Sequence, residues 1–403
     1  MKRGTYDHKI LLLQGGGALG SYHCGGYQGL AEIGAMPNWF VGISIGAINS
    51  AILAGNPPER RLERLRTFWE MATSSFTFEP PAWLEPLRPM LHRVNFMQVC
   101  SWGVPGFFKP RTVLPDFALS GSAEALSYYD TEPLRKTLEQ LVDFDLINSR
   151  NVRLSLGAVN VRTAESVYFD NYKTRITPYH VMASGALPPG FPAIKIDGEY
   201  YYDGGLVSNS PLSYVIDEKP LNTAVMVQVN LFNAHGKLPK TLDQAMERVK
   251  DIQFASKQRF NTQRVKELMG LRMALCRLMT KLPPELKTDP DVVKLETLCD
   301  KRDWTVVHVN NRRVHHSGQN KDADFSRLGV LDRWASGLED IRISAANLEW
   351  LHPMELGGGI RIYQMPPESP TVSVGLGQAT AEVEASFNGE VVETRKGIPV
   401  GSA

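Results

Sequence analysis

Gly42-Ile43-Ser44-Ile45-Gly46 is the stretch of this chain best suited to covalent chemistry. A nucleophilic serine needs its hydroxyl thrust out of a strained strand-to-helix turn. Flanking glycines let neighbouring chain pass without a Cβ clash. Small residues follow (Ala47, Ser50, Ala51, Ala54), so a helix starting at Ser44 can pack close to a sheet. Its N-terminus presents free N–H groups and a positive dipole end to a developing oxyanion. A second signal is Gly15-Gly16-Gly17-Ala18-Leu19-Gly20, a glycine run after an apolar strand. Such a run exposes backbone N–H groups in a nest that holds phosphate or an oxyanion. Gly15, Gly17 and Gly20 also satisfy G-x-G-x-x-G, but a dinucleotide site wants an acid roughly 20 residues on, at the end of the second strand. Here that strand ends Val41-Gly42-Ile43-Ser44, with no acid. The third signal is Asp203-Gly204-Gly205. A serine at its free pKa needs a base within hydrogen-bond reach. The nine histidines are dispersed and none sits in a comparable glycine turn, so Asp203 is the better candidate base.

These turns need elements to carry them. Lys9 to Gln14 reads as a strand buried on both faces, and Tyr22 to Ile33 as the returning helix. Trp39 to Gly42 is a second strand and Gly46 to Ala54 a second helix. This alternation predicts an α/β fold with a mainly parallel sheet. Residues 76–111 interleave Phe76, Phe78, Trp83, Phe96, Trp102, Phe107 and Phe108 with six prolines, which predicts an irregular apolar cap without long helices. That cap is either plain core cover or a substrate lid. Strands return at Val152 to Ala158, Ala164 to Asp170 and Thr223 to Asn230. Thr177 followed by Pro178 marks a helix start.

Beyond about Asn233 the pattern changes to long helices. Leu242, Met246, Val249 and Ile252 recur at helical spacing and predict a core-facing stripe, as do Leu268, Leu275, Leu278 and Leu282. A strand over Trp304 to Val309 and a helix from Ser326 to His352 follow. The expected organisation is a catalytic domain over 1–235, a mainly helical domain over 236–355, and a tail over 356–403. In the tail, Phe387-Asn388-Gly389-Glu390 suits a small hairpin.

Composition sets limits on function. With 44 basic and 43 acidic residues among 403, the net charge is +1, which gives no global field for nucleic acid. Residues 240–281 nevertheless carry ten basic and four acidic side chains. The plain reading is a solvated helical face. The functional readings are a peripheral contact with an anionic membrane surface, or a protein partner or second copy of the chain through 240–352. Cys24, Cys100, Cys276 and Cys299 are scattered without a CxxC pair, which argues against a disulfide framework or zinc ribbon and fits a reducing compartment. No apolar run nears the roughly 20 residues of a membrane span, and Ile10 to Leu13 is too short for a signal peptide. A cytoplasmic protein, at most peripheral to a membrane, is expected. His315-His316 lacks further ligands, so no metal site is expected.

Taken in order, the nest Gly15 to Gly20, the elbow Gly42 to Gly46, Ala183 to Pro189, Phe191-Pro192 and the Asp203-Gly204-Gly205 turn resemble the patatin-like phospholipase family. The likeness covers roughly residues 8–230, and 240–352 is similar to the helical extension of a bacterial subgroup. The resemblance implies a layered α/β/α core and a Ser44–Asp203 dyad cleaving carboxylic esters of lipids through an acyl-enzyme. It places the oxyanion in the Gly15-Gly16-Gly17 nest and at the N–H of Ile45, with Gly20, Gly42, Gly46, Gly204 and Gly205 as supports. It requires neither metal nor organic cofactor. Many family members carry Arg or Lys where this chain has Leu19, so a charged supplement to the oxyanion hole is not expected. Two alternatives stand beside it. One is an esterase for short-chain, hydroxyacid or storage-polyester substrates. The other is a non-catalytic scaffold acting through the extension.

Overall fold

Ile10-Leu11-Leu12-Leu13 is apolar at every position because both faces of its strand are covered, Ile10 and Leu12 in one core and Leu11 and Leu13 in the other. In the computed structural model the described residues are 5–75, 88–122, 124–218, 223–299, 302–311, 318–345, 349–353 and 359–365. The first half-sheet follows the expected grammar: β1 (His8–Leu13), α1 (Ser21–Glu32), β2 (Trp39–Ile43), α2 (Ile45–Ala54), then α3 (Pro58–Thr73).

The cap differs from expectation. It contains a 15-residue helix, α4 (Arg88–Trp102). Proline does not forbid it, because Pro89 sits in the first turn, where its missing N–H has no intrahelical partner to lose. Pro105 comes after the last turn. Phe76, Phe78 and Trp83 lie outside the described residues. A short ribbon of β3 (Lys109–Pro110) and β4 (Tyr129–Asp130) closes the cap, followed by α5 (Glu132–Leu141) and α6 (Phe144–Asn148).

The returning strands are β5 (Arg153–Asn160) and β6 (Ser166–Asp170). Thr177 caps α7 (Pro178–Ser184) in a capping box with His180. Then come β7 (Ile194–Ile196), β8 (Glu199–Asp203), α8 (Leu212–Asp217) and β9 (Thr223–Asn230).

The extension supplies α9 (Leu242–Met279), α10 (Pro290–Glu296), β10 (Asp303–Asn310), α11 (Arg327–Ser344) and β11 (Ile360–Met365). The nine-stranded sheet runs β11-β10-β9-β1-β2-β5-β8-β7, with β6 antiparallel on β5. From β11 through β5 every pairing is parallel, and β5–β8 and β8–β7 are antiparallel. Helices α8 and α9 cover one face, where Val215, Val265 and Met269 meet Ile10 and Trp304. Helices α1, α2, α3, α5, α7 and α11 contribute to the core on the opposite face, giving three layers.

Two expectations about the extension need correction. It is not a separate domain beginning near 236, since β10 and β11 continue the catalytic sheet and one unit spans Met1–Pro367. Its helix α11 lies along α1, with Tyr22 Oη donating to Asp340 Oδ2 at 2.7 Å. Nor does α9 bury the Leu242, Met246, Val249, Ile252 stripe, which is exposed. It buries Asp251, Ala255, Val265, Met269 and Cys276 instead. The choice is made by a partner: Lys321, itself buried, donates to Asp251 at 2.6 Å and lies 3.4 Å from Glu247. A buried ammonium needs such an acid, so Asp251 must turn inward and the stripe outward.

Cys276 is disulfide-bonded to Cys299, 23 residues on, while Cys24 and Cys100 are free. One bridge is no framework, but the cysteine argument for a reducing compartment does not hold for this pair. Among the described residues no helix is long and apolar enough to cross a membrane, and no group of metal-ligating side chains forms. The 387–390 hairpin and His315-His316 lie outside the described residues.

Candidate active site

Ser44 has φ 58° and ψ −125° at the junction of β2 and α2. A non-glycine residue pays for this conformation in strain of about 1–3 kcal/mol, held only because the surroundings fix it. The surroundings here are the neighbouring glycines. A Cβ on Gly42 would stand 2.2 Å from the Gly46 carbonyl oxygen, and one on Gly46 would stand 2.2 Å from that of Leu13. The Ser44 N–H donates to both Oγ and the carbonyl of Ser184, each at 3.1 Å. Ser184 Oγ in turn donates to the Gly157 carbonyl at 2.5 Å. Ser184 therefore pins the elbow to β5, and its hydroxyl is committed.

Asp203 ends β8, with its N–H on the Ala186 carbonyl at 3.0 Å. Gly205 N–H donates to its Oδ1 at 2.7 Å, and the Ser44 hydroxyl is its other hydrogen-bond partner. Burial raises the Asp203 pKa to about 6, and the bonds from Ser44 and Gly205 only partly oppose that rise. A carboxylate of this basicity is a far better proton acceptor than an ordinary aspartate, and it is still ionised at neutral pH.

The glycine nest faces Ser44 across a cavity of about 410 Å³. Among the described residues no acceptor engages the N–H groups of Gly16, Gly17 or Ile45. Gly17 has φ +55°, and a Cβ there would lie 2.2 Å from the Asp322 carbonyl oxygen, so only glycine fits. Gly15 departs from expectation. Its N–H donates to Asn209 Oδ1 at 2.9 Å and its carbonyl accepts from Asn209 Nδ2 at 2.8 Å. Its peptide is satisfied, which takes it out of the anion-binding set and makes it an anchor for the nest. Gly20 and Gly204 support from behind, packed on Ile45 and on the Gly157 carbonyl respectively.

Asn209 is a site residue that the sequence analysis missed. Its signal was present, a buried amide in the polar turn Ser208-Asn209-Ser210-Pro211, where such side chains bond backbone. The extension's share was missed as well. Gln253 and Phe254 of α9 line the cavity, as do Asp322, Ala323 and Phe325. The cap adds Val99, Phe107 and Phe108. Phe107, Phe191 and Phe325, from three distant parts of the chain, form one aromatic wall with centroids 5.8 and 6.1 Å apart. Among the described residues no histidine lines this cavity. His23 is buried elsewhere and held neutral, burial lowering its pKa to about 3.

A larger groove of about 560 Å³ runs between α3 and α11, lined by Trp69 and Trp334 among others. It contains neither Ser44 nor Asp203. The chemistry therefore points to the smaller cavity.

The family model described as Patatin-like phospholipase matches residues 11–216, and a second, described as Patatin phospholipase, matches residues 252–356. Comparison with curated protein sequences finds no match. Among solved structures, VipD from Legionella pneumophila is 15% identical, with 82% of this chain and 67% of that chain covered and a TM-score of 0.33. The type III effector ExoU is 13% identical, with 84% and 80% covered and a TM-score of 0.26. ExoU in complex with SpcU from Pseudomonas aeruginosa gives 14% identity, 84% and 78% coverage, and a TM-score of 0.25. Overlaps this loose carry no argument. The Patatin-like phospholipase model spans residues 11–216, half of the chain, and on that ground the chain belongs to the patatin-like phospholipase family.

Proposed function

We propose that this protein is a serine acyl hydrolase that cleaves carboxylic esters of lipids by a Ser44–Asp203 dyad. The observation that carries the reading is the strained Ser44 turn beside a buried carboxylate, in one cavity with the glycine nest. Ser44 Oγ attacks the ester carbonyl as Asp203 accepts its proton. The carbonyl oxygen becomes an oxyanion within reach of the N–H groups of Gly16, Gly17 and Ile45, each such donor lowering the barrier by roughly 3 kcal/mol. Collapse expels the alcohol, which takes the proton back from Asp203 and leaves Ser44 acylated. Water, deprotonated by Asp203, then attacks the acyl-enzyme, and Asp203 returns that proton to the departing Ser44 Oγ as the carboxylic acid is released. The dry wall of Phe107, Phe191 and Phe325 suits an acyl chain better than a polar acid, which favours lipid esters over short hydroxyacid esters.

A fluorophosphonate probe followed by peptide mapping tests the nucleophile, with Ser44 as the expected adduct. Folded protein that takes no label would return the chain to the scaffold reading. Turnover of p-nitrophenyl esters across chain lengths is expected to rise with acyl length, whereas a preference for acetate would favour the short-chain esterase.

A further inference from the structure

The mouth of the catalytic cavity opens onto an apolar surface that the hydrolysis mechanism does not use. Leu187 and Leu206 line the cavity and are also 46% and 45% exposed, so they mark its rim. Beside Leu187, the segment 111–128 is joined to the rim by Tyr128 N–H on the Pro189 carbonyl, and Tyr129 N–H follows on that of Gly190. On this segment Phe117 is 81% and Leu119 84% exposed. On α4, Val99 faces the cavity while Met97 and Trp102 stand in solvent. Met97 continues into a groove with Leu242 and Met246, the first turns of the outward α9 stripe. Arg93 lies in the same groove, and Lys237 and Lys240 precede the helix.

We infer that this rim is the surface by which the protein lies on a lipid aggregate, with the cavity mouth facing the lipid. This deepens the lipid-ester reading and rests on it. Large apolar side chains stand exposed on three separate segments, each of which also touches the cavity wall or its rim: α4 through Val99, 111–128 through the Tyr128–Pro189 bond, and α9 through Phe254. Apolar patches of this kind mark contact sites. Leu, Phe, Trp and Met interspersed with Arg and Lys form the composition of an interfacial face, whose basic groups reach back to water while their stems stay in the apolar layer. An ester whose acyl chain fits the Phe-lined cavity is itself held in an aggregate. The mouth must therefore meet that aggregate if the chain is to enter without crossing water. The contact is apolar first and electrostatic second, which distinguishes it from docking through the whole basic 240–281 helix.

Co-sedimentation with phosphatidylcholine vesicles tests this on the full chain carrying Ser44→Ala, so that no product forms. Binding is expected, and it is expected to survive about 0.5 M salt, because apolar contacts are not screened. Adding Trp102→Ser, Phe117→Ser and Leu119→Ser should lower vesicle partitioning by about tenfold or more. In the Ser44 protein, the same three changes should slow hydrolysis of vesicular phosphatidylcholine in step. They should leave turnover of soluble p-nitrophenyl butyrate within about twofold, which also reports intact folding. Unchanged partitioning, or binding abolished by salt, would overturn the inference. So would a shift in oligomeric state caused by these changes without lipid, which would assign the face to a second copy of the chain. Vesicle binding with no ester turnover by the unmodified protein would count against the hydrolase and support the surface.

Discussion

The turn that carries Ser44 and the turn that carries Asp203 both follow a strand and both contain glycines, yet the features that suit the two side chains to the proposed chemistry have different causes. Ser44 is made accessible by backbone strain at φ 58°, imposed within five residues by Gly42 and Gly46. Asp203 has unstrained backbone, and its basicity comes from burial by residues far away in sequence. A nucleophile can therefore be written locally, whereas the strength of its base is a property of the whole packed site.

The largest effect expected is from Ser44→Ala, which removes the attacking oxygen and should lower kcat by about 10⁴-fold or more with an unchanged unfolding midpoint. An esterase rate within tenfold of the parent would break the comparison at its first member. Asp203→Asn should lower kcat by about 10³-fold and, unlike Ser44→Ala, make the protein more stable. The sign follows from burial. The folded-state pKa of about 6 lies above the ordinary aspartate value of 3.8, so the native state binds the extra proton between these values. Stability is then lost as pH rises from about 4 to 6, and asparagine escapes that loss. The gain in the variant should be absent near pH 4 and reach about 3 kcal/mol above pH 6, which denaturant titrations at several pH values would measure. An asparagine variant less stable than the parent at pH 7.5 would show that burial does not strain the carboxylate.

Gly46→Ala tests the local half. Its methyl would stand 2.2 Å from the Leu13 carbonyl oxygen, where backbone cannot give way cheaply. A loss of about 2–4 kcal/mol in stability is expected. Next in size, kcat/KM should fall about tenfold per pH unit below pH 6 as Asp203 takes up its proton, read with a soluble ester. The smallest effect is expected at Asn209. Asn209→Ala removes two bonds to Gly15 and should cost about 1–3 kcal/mol, with a roughly tenfold drop in kcat as the nest loosens.

Much of the catalytic half could be read directly from sequence. The strands β1, β2, β5 and β9 and the capped start of α7 lie where periodicity and capping residues place them. The elbow, the nest and Asp203 line one cavity as expected. Gly15 was misassigned because nothing in a glycine run reveals that Asn209, 194 residues away, satisfies one of its peptides. The helix in the cap was missed because proline was counted without regard to its place in the first turn.

The α9 stripe shows the limit most clearly. A hydrophobic period gives the face a helix can bury, and only the partner decides which face it does bury. Here Lys321 draws Asp251 inward, and Leu242, Met246, Val249 and Ile252 are left outside. By itself, then, the sequence determined the local conformations: the strained serine turn, the glycine nest, and the alternating strands and helices. These depend on sterics between near neighbours. Only the tertiary structure decided that the extension joins the sheet and walls the cavity, that Gly15 is an anchor, and that Asp203 is basic. These depend on desolvation and pairing between residues hundreds of positions apart.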